Sequence, residues 1–405
     1  MAGRLLRASQ YRALALMYLS QALPTGLAFA ALGALIRDAG HGVAAVGWTG
    51  LAFIPWALRF LWASAVDNAC ARRGHGAAAL ALQALMAALC LLLAPLPPAA
   101  SLGAALAAVV ALNTVAATQG IVTNAYAVAH LQDATAPVNA IQVAGYGLGM
   151  VLGGGGFLVA HGTLGWAGAA QAMAALLVLA GGVLWADGRW RGVPAAGAGQ
   201  AGAVRLRDLR EHRDLALALL VALGFKVASH AVGTLVQPWL VDRGWSIAAI
   251  GRFQMVVIAA VSLGGVAVGV PLVRWLGHRG AVLASSVAVA LLMGAGWVLQ
   301  RFALQAPWLH YAAFGAQGVF EGALFVAAWA LLMRWASPER PGTDYATLQC
   351  TESLGAMAIA GGIGALAQAL GYGGAFGLAW LAAGGSVLLL AACLPRLRLQ
   401  GEGPG

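Results

Sequence analysis

Four ionisable side chains lie inside long apolar runs of this sequence: Arg59, Lys226, His230 and Glu321. An ionisable group at membrane depth costs at least ~2.5–3.5 kcal/mol on insertion scales, so each one requires a partner or a function. Arg59 and Lys226, the only lysine, could bind an anion. Glu321 could bind and release a proton, and so could His230, which follows Lys226 by four residues and would share its helix face. These residue types predict an anion site with proton-coupling groups beside it.

The same residues also fit a purely structural role. Lys226 and Glu321 could form an internal ion pair that holds two helices together, and long basic side chains can extend their charge to the membrane surface. A helical histidine often hydrogen-bonds a neighbour. Glu352 and Arg334 lie near the predicted inner ends of their runs, where gate or interface roles are more typical than ligand binding.

Polar and aromatic side chains in the apolar runs could line a substrate cavity. Pro24 and Pro238 would free backbone groups, so we expect the first and seventh helices to be bent and to line it. Each polar residue could equally form hydrogen bonds between helices. The predicted substrate-binding residues are Gln21, Arg59, Gln119, Asn124, Tyr126, Tyr146, Lys226 and Gln237.

The composition identifies the elements that must position these groups. Of the 405 residues, 61% are hydrophobic and 9% are charged, whereas soluble domains carry about 25% charged residues. A spanning helix needs about 20 apolar residues, and twelve continuously apolar runs are present, which favours helices over a β-barrel. The predicted fold class is an all-α polytopic membrane protein with twelve transmembrane helices. The runs lie near residues 13–35, 44–65, 77–96, 102–126, 139–160, 165–186, 214–237, 247–271, 281–303, 308–334, 347–369 and 374–394.

The basic residues predict the orientation of these helices. With the N-terminus in the cytoplasm, seventeen of the 23 basic residues face inward, four face outward, and two lie within helices. The positive-inside rule therefore places both termini in the cytoplasm. The net charge of +10 is thereby explained by topology, and no nucleic-acid partner is expected.

Several chemistries are not indicated. No paired acids, Ser/His arrangement, metal-ligand cluster or Walker-type loop appears, so we expect no enzymatic activity, no cofactor and no metal site. The four cysteines show no metal-ligand spacing and are expected to be free. The first apolar run is too long for a cleavable signal peptide, so none is expected.

One stretch of the sequence recurs. Residues 38–47 match residues 242–251 at five of ten positions, offset by 204, and each copy follows the first helix of a six-helix group. Two copies in one orientation indicate parallel six-helix repeats, which resembles the major facilitator fold, with the substrate site between the halves. The predicted domains are an N-terminal bundle at 1–186, a cytoplasmic linker at 187–213 and a C-terminal bundle at 214–405. The basic run at 205–210 predicts an interfacial helix within the linker.

Glycine makes up 56 of the 405 residues, about twice the usual ~7%. Runs at 145–149, 153–156 and 361–364 predict close helix contacts, either as sliding surfaces or as static packing.

The loop at 67–74 resembles the cytoplasmic signature of major facilitators, an acid at a helix end followed by paired basic residues. In that family these residues form an inner latch that stabilises the outward-open state. The resemblance implies a cytoplasmic gate of Asp67, Arg72 and Arg73. A second copy at 274–280 lacks the acid, which predicts an asymmetric latch.

Further stretches resemble the bacterial muropeptide permeases (AmpG-type) and, more closely, the shorter siderophore permeases of the RhtX/FptX type. They lie at 55–68, 117–126, 225–226 and 342–349. The resemblance implies a monomeric, multi-pass protein of the bacterial inner membrane. It would import a ferric siderophore, or a similar anionic conjugate, by proton-coupled alternating access, with protons and membrane lipids as its other partners.

The sequence departs from that family at three positions. The family often has acids where this chain has Gly120, Asn124 and His230, which shifts the predicted proton coupling towards Glu321. A different substrate, or an anion gradient as the driving force, would also fit these departures. A muropeptide or other amphipathic-anion permease, and a siderophore or drug exporter, remain alternatives, because the sequence does not fix the direction of transport.

Overall fold

The structure is a computed structural model that describes residues 2–41, 48–192, 204–212, 214–245, 247–302 and 306–399. Helices and short turns make up these parts of the chain, and no strand occurs in them. The helical segments are Ala2–Gly26, Leu27–Ala31 (π), Leu32–Asp38, Trp48–Phe53 (3-10), Ile54–Leu58, Phe60–Arg73, His75–Leu93, Pro98–His130, Gln132–Ala134 (3-10), Thr135–Val151, Leu152–Gly156 (π), Phe157–Ala186, Gly188–Gly192 (3-10), Leu206–Glu211 (3-10), Leu215–Gly224, Val227–Asp242, Ile247–Gly264, Gly265–Gly269 (π), Val270–Arg301, Pro307–Trp335, Pro341–Cys393 and Leu394–Arg396 (3-10).

The predicted number of spans follows from the lengths of these helices. In the described residues, eight helices are long and apolar enough to cross a membrane, and a ninth span bends by 52° between Trp48–Leu58 and Phe60–Arg73. Three of the nine contain 50 to 56 residues. At 1.5 Å per residue each exceeds twice the ~30 Å hydrocarbon core, so each contains two spans. Nine spans and three more give the predicted twelve.

The double-length helices reverse at Gly165, Gly277 and Gly371, whose φ angles are +70°, +70° and +69°. We label the spans in chain order as α1 (2–38), α2 (48–73), α3 (75–93), α4 (98–130), α5 (135–164), α6 (166–186), α7 (215–242), α8 (247–276), α9 (278–301), α10 (307–335), α11 (341–370) and α12 (372–393).

The reversals also display the internal repeat. Glycines with positive φ pair as Gly40 with Gly244, Gly74 with Gly277, and Gly165 with Gly371, at offsets of 204, 203 and 206 residues. These offsets match the sequence repeat of 204 residues. The repeat stretches themselves lie partly outside the described residues, at 42–47 and at 246.

The helices extend beyond the predicted apolar runs. α1 begins at Ala2 rather than near 13, and α2 continues to Arg73 rather than ending near 65. Hydropathy marks only the apolar part of a helix, whereas backbone hydrogen bonds continue into polar turns. In the predicted linker the basic run forms a helix of the 3-10 type that is only six residues long, Leu206–Glu211. Six residues are too few for a stable isolated helix. Residues 193–203 and 213 of the linker lie outside the described parts.

Two helices were expected to bend at prolines. In α1 a π turn at Leu27–Ala31 directly follows Pro24. In α7 the helix is interrupted at Phe225 and Lys226, well before Pro238. The break therefore falls at an ionisable residue, a position that the proline rule did not predict.

The chain divides into two compact units, in each of which glycines bring helices together. At Gly153 a Cβ atom would lie 1.9 Å from the Leu23 carbonyl oxygen, so α5 touches α1 backbone to backbone in unit 1. Gly322 and the Val261 carbonyl of α8 form an equally close contact in unit 2. Gly362 and Gly364, by contrast, face open space, so neither makes the predicted contact, and the surroundings of Gly361 lie outside the described part of the run. Unit 1 consists of Met1–Asp133, Ala144–Leu209 and Ala336–Cys350, and unit 2 of Ala134–Val143, Arg210–Trp335 and Thr351–Gly405.

We expect Gly165→Ala to lower the free energy of unfolding by about 1–3 kcal/mol, because φ +70° with ψ −178° is essentially a glycine-only conformation. Thermal unfolding in detergent measures the change. Gly162→Ala is the matched control, since Gly162 is helical with no atom near its missing Cβ, and it should be neutral or stabilising. Equal melting temperatures for the two variants would contradict the assignment of the reversal.

Candidate functional site

The bend of α2 positions Arg59, which joins Ile54–Leu58 to Phe60–Arg73. Its guanidinium lies over the Trp56 ring, 5.1 Å from the centroid, and donates a hydrogen bond to Gln349 Oε1. At Gly120 a Cβ atom would lie 2.8 Å from Arg59 Nη1 and 3.2 Å from Gln21 Oε1. Gly120 therefore lets the guanidinium approach α4 closely.

Neutral polar groups complete this Arg59 cluster in unit 1. Asn124 donates to Gln349 Oε1 at 2.8 Å, and the Tyr18 hydroxyl donates to Asn124 Oδ1 at 2.9 Å. The amide oxygen of Gln349 therefore accepts from both Arg59 and Asn124. We define the Arg59 cluster as Tyr18, Gln21, Trp56, Arg59, Gly120, Asn124 and Gln349.

The charge of Arg59 is not neutralised within the parts of the chain that the structure describes. Arg59 is 5% exposed, and no described carboxylate lies within ion-pair distance of it. Its Nε and the Oε1 of Gln21 are buried without hydrogen-bond partners, and so are both amide atoms of Gln119. A buried cation without a counter-ion is costly. An anion could supply both the missing charge and the missing acceptor.

A second cluster lies in unit 2, at the interruption of α7. Lys226 Nζ lies 3.1 Å from Glu352 Oε1 and 4.9 Å from the centroid of the Phe325 ring. His230 Nε2 lies 2.7 Å from the same Glu352 oxygen. The Lys226 charge is therefore paired with Glu352, and the ion pair considered between Lys226 and Glu321 is not formed. Glu352 is therefore a member of this cluster, and the gate or interface role expected for it stays a prediction.

Glu321 lies beside this pair on α10. Ser229 and Gln317 lie beside its carboxyl group, and Lys226 and His230 lie within electrostatic range of it. We define the Lys226 cluster as Lys226, Ser229, His230, Gln317, Glu321, Phe325 and Glu352.

The Lys226 cluster contains two acids, one lysine and one histidine. The one lysine balances only one of the two carboxyl groups when both are ionised. Low-dielectric surroundings favour the neutral state of such a group of charges. Because the groups interact strongly, the proton belongs to the cluster as a whole. The geometry suits the uptake of a single proton.

Of the predicted gate residues, Asp67 is the one that contacts the start of α11. Its buried carboxylate accepts hydrogen bonds from the backbone N–H groups of Gly342 and Thr343 at 2.9 and 2.7 Å, and from the Thr343 hydroxyl at 2.6 Å. It thereby caps the first turn of α11, where a carboxylate is favoured by the helix dipole. Arg72 and Arg73 are exposed at the end of α2.

Of the remaining predicted residues, Tyr146 lies beside the Arg59 cluster and Tyr126 lies elsewhere. Tyr146 packs edge-on against Trp56, with ring centroids 6.2 Å apart, and so adjoins the Arg59 cluster. Tyr126 donates to the Trp190 carbonyl at 3.0 Å and packs on His130, in a separate aromatic group. Gln119 is buried in α4, and Gln237 is exposed.

Eight residues of the two clusters were not among the predicted site residues: Tyr18, Trp56, Gly120, Gln349, Ser229, Gln317, Phe325 and Glu352. Gln349 and Trp56 lie within the stretches that carried the family resemblance, which was the available signal. Tyr18 gave none, because a tyrosine in an apolar helix is common. Glu352 was assigned by its depth along α11, and only the fold shows that it meets α7.

Solved structures share this architecture. A bacterial homologue of the iron transporter ferroportin, in an outward-facing state, has a TM-score of 0.75 at 12% identity, over 96% of this chain and 100% of that chain. The human organic anion transporter MFSD10 (TETRAN) has a TM-score of 0.69 at 16% identity, over 96% and 99%. The major facilitator superfamily proton:xylose symporter XylE has a TM-score of 0.69 at 12% identity, over 98% and 96%. No protein-family model matches the sequence.

These likenesses establish the fold. The chain is an all-α, multi-pass membrane protein with the twelve-helix major facilitator fold, as the sequence predicted.

We expect Asp67→Ala to lower the free energy of unfolding by about 2–4 kcal/mol, because two backbone N–H groups and one hydroxyl lose their acceptor. Hydrogen exchange at residues 342–347 should accelerate in the same variant. Arg73→Ala, at an exposed position on the same helix end, is the control and should change neither quantity. Unchanged exchange in Asp67→Ala would show that the carboxylate does not hold the start of α11.

Proposed function

We propose that this protein is a secondary active transporter that moves a small organic anion by proton-coupled alternating access. The observation that carries the proposal is the buried guanidinium of Arg59. Its partners among the described residues are neutral, and its own Nε and Gln21 Oε1 in the same cluster lack hydrogen-bond partners. A transported anion would complete this set of interactions.

Arg59 rather than Lys226 is the proposed anion receptor. The Lys226 charge already faces Glu352 at 3.1 Å, so an added anion there would compete with a carboxylate. Arg59 is held by Gln349 and Trp56, which leave its charge uncompensated. Guanidinium groups also suit carboxylates geometrically, because their N–H donors form a planar fork. Gln21, Asn124 and Tyr146 would then help to orient the substrate.

Glu321 is the proposed proton-binding group. Glu352 is held by both Lys226 and His230, which stabilise its ionised form. Glu321 has the neutral partners Ser229 and Gln317, which tolerate either protonation state. His230 is the alternative proton carrier, since it shares the same neighbours.

The proposed cargo is a ferric siderophore, imported from the periplasm to the cytoplasm by a monomer in the bacterial inner membrane with both termini inside. Support comes from the resemblance to siderophore permeases, because three of the resembling stretches supply Arg59, Asn124 and Gln349, which meet in one cluster. A structural neighbour is a homologue of an iron transporter and another is an organic anion transporter. We propose that the N-terminal bundle ends at residue 186 and that the C-terminal bundle begins at residue 214, the boundaries expected from the sequence.

A muropeptide or another amphipathic anion is the second candidate cargo, and export is the second candidate direction. Labelled substrate in right-side-out vesicles under an imposed pH gradient separates these cases. Accumulation of an iron-loaded siderophore inside the vesicles supports import, and accumulation of a labelled anhydromuropeptide instead favours the second candidate.

We expect Arg59→Gln to weaken anion binding by about 30-fold or more, because the charge partner of the anion is removed. The measurement is binding of a panel of iron-loaded siderophores and an anhydromuropeptide to purified protein. Arg4→Gln, at an exposed position of α1 outside both clusters and the predicted gate, should bind normally. Gly120→Ala should give an intermediate loss, because its Cβ displaces Arg59 Nη1 without removing the charge. If Arg59→Gln binds every ligand of the panel as well as the parent protein, the proposed receptor is wrong.

We expect Glu321→Gln to retain substrate exchange and to lose accumulation driven by a pH gradient, because glutamine mimics the protonated acid and cannot release a proton. Exchange and accumulation are measured in the same proteoliposomes. Glu339→Gln, at an exposed position, should retain both activities. Retained accumulation in Glu321→Gln would assign proton binding to His230 instead. The His230→Gln variant tests that assignment directly.

A further inference from the structure

A wide apolar groove runs along the surface of unit 1 between α2 and α4, on faces that the transport proposal does not use. Its volume is 730 Å³. The walls on α2 are large, with Trp48 and Leu61 each 55% exposed. The floor on α4 is small, because Gly103, Ala107 and Ala111 follow one another at four-residue spacing. The large side chains of α2 beside the small residues of α4 form an open groove.

Two of the polar side chains in the groove are satisfied by the protein, and a third, the Trp48 indole, lies at the end where α2 begins. The Thr114 hydroxyl donates to the Val110 carbonyl at 2.8 Å, and Trp62 Nε1 donates to Thr118 Oγ1 at 3.1 Å. An ordered water needs two to four polar partners, and these two side chains offer none that is free. Beyond Trp48 the groove therefore favours an apolar ligand.

The position and length of the groove identify its occupant. From Gly103 to Thr114 the floor spans eleven residues, or roughly 16 Å at 1.5 Å per residue. One leaflet of the bilayer core is about half of ~30 Å thick. Trp48 lies at the end where α2 begins, and tryptophans are enriched at the membrane surface. The groove thus extends from the membrane surface to mid-membrane.

We propose that this groove is a binding site for one acyl chain of a bilayer phospholipid. Lipid tails are as apolar as leucine, so the preference comes from packing rather than from the hydrophobic effect. A chain in the groove contacts protein on three sides, whereas a chain on a convex helix surface contacts it on one.

The site adjoins the bend of α2. Pro55, Leu58 and Trp62 line the groove, while Trp56 and Arg59 lie on another face of the same helix and belong to the Arg59 cluster. A bound chain therefore packs against both segments of the bent helix and supports the bend.

The test uses the full-length protein in vesicles of phosphatidylethanolamine and phosphatidylglycerol that contain a trace of a phospholipid with a diazirine on one acyl chain. After irradiation, adducts are mapped by mass spectrometry. Adducts should concentrate on residues 48–62 and 103–114, at least fivefold above those on α6. Adducts spread evenly over the membrane-facing helices would overturn the proposal.

The groove-filling variant Ala107→Leu/Ala111→Leu should lose most adducts on those two segments. Both alanines are exposed, so the longer side chains fill the groove without entering the core. Ala175→Leu, at an exposed position on α6, is the matched control and should label as the parent protein does. If the double variant fails to fold, Leu61→Ala, which removes one wall, should reduce labelling instead. Unchanged labelling in a folded groove variant, or its displacement by a siderophore or muropeptide, would refute the acyl-chain site.

Discussion

The cost of a buried positive charge organises the centre of unit 1. Arg59 sits in the bend of α2 with 5% of its surface exposed, and its described partners are an amide oxygen and an indole ring. Dipoles and ring faces stabilise a cation less than a carboxylate does. The surrounding helices accordingly provide several weak interactions at once. Gly120 allows close approach, and Asn124 and Tyr18 hold Gln349 in its accepting orientation.

In the Lys226 cluster, by contrast, the cation is paired with a carboxylate. Glu352 contacts both Lys226 and His230, and Glu321 adds a second acid beside them. An excess of cationic charge in one cluster and of acidic groups in the other suits two different ligands, an anion and a proton.

The sequence predicted the fold well, because spanning helices are encoded by long apolar runs and the repeat by an offset of 204 residues. It also selected Arg59, Lys226 and Glu321, since charge in an apolar run is conspicuous. The sequence did not show which side chains form ion pairs with one another. Glu352 lies 126 residues from Lys226 in the chain, and nothing in a single sequence reports which acid an amine meets. Tyr126 was selected with Asn124 from the same run, yet the structure places it in another aromatic group.

Contacts between α2 and α11 link the Arg59 cluster to the predicted gate within unit 1. Arg59 meets Gln349, and Asp67, eight residues later, meets Gly342, seven residues earlier. At 1.5 Å per residue these separations are roughly 12 and 10 Å, so two antiparallel helix segments are joined at two matched points. At Gly342 a Cβ atom would lie 2.5 Å from Asp67 Oδ1, so the second contact requires glycine at position 342. An anion that takes the Arg59 donors from Gln349 would release the first point, while the Asp67 contact and the contact of Cys350 Sγ with the Trp56 carbonyl would remain. Substrate binding could then weaken the contact between the two helices without touching the gate, because the two contacts share the same pair of helices.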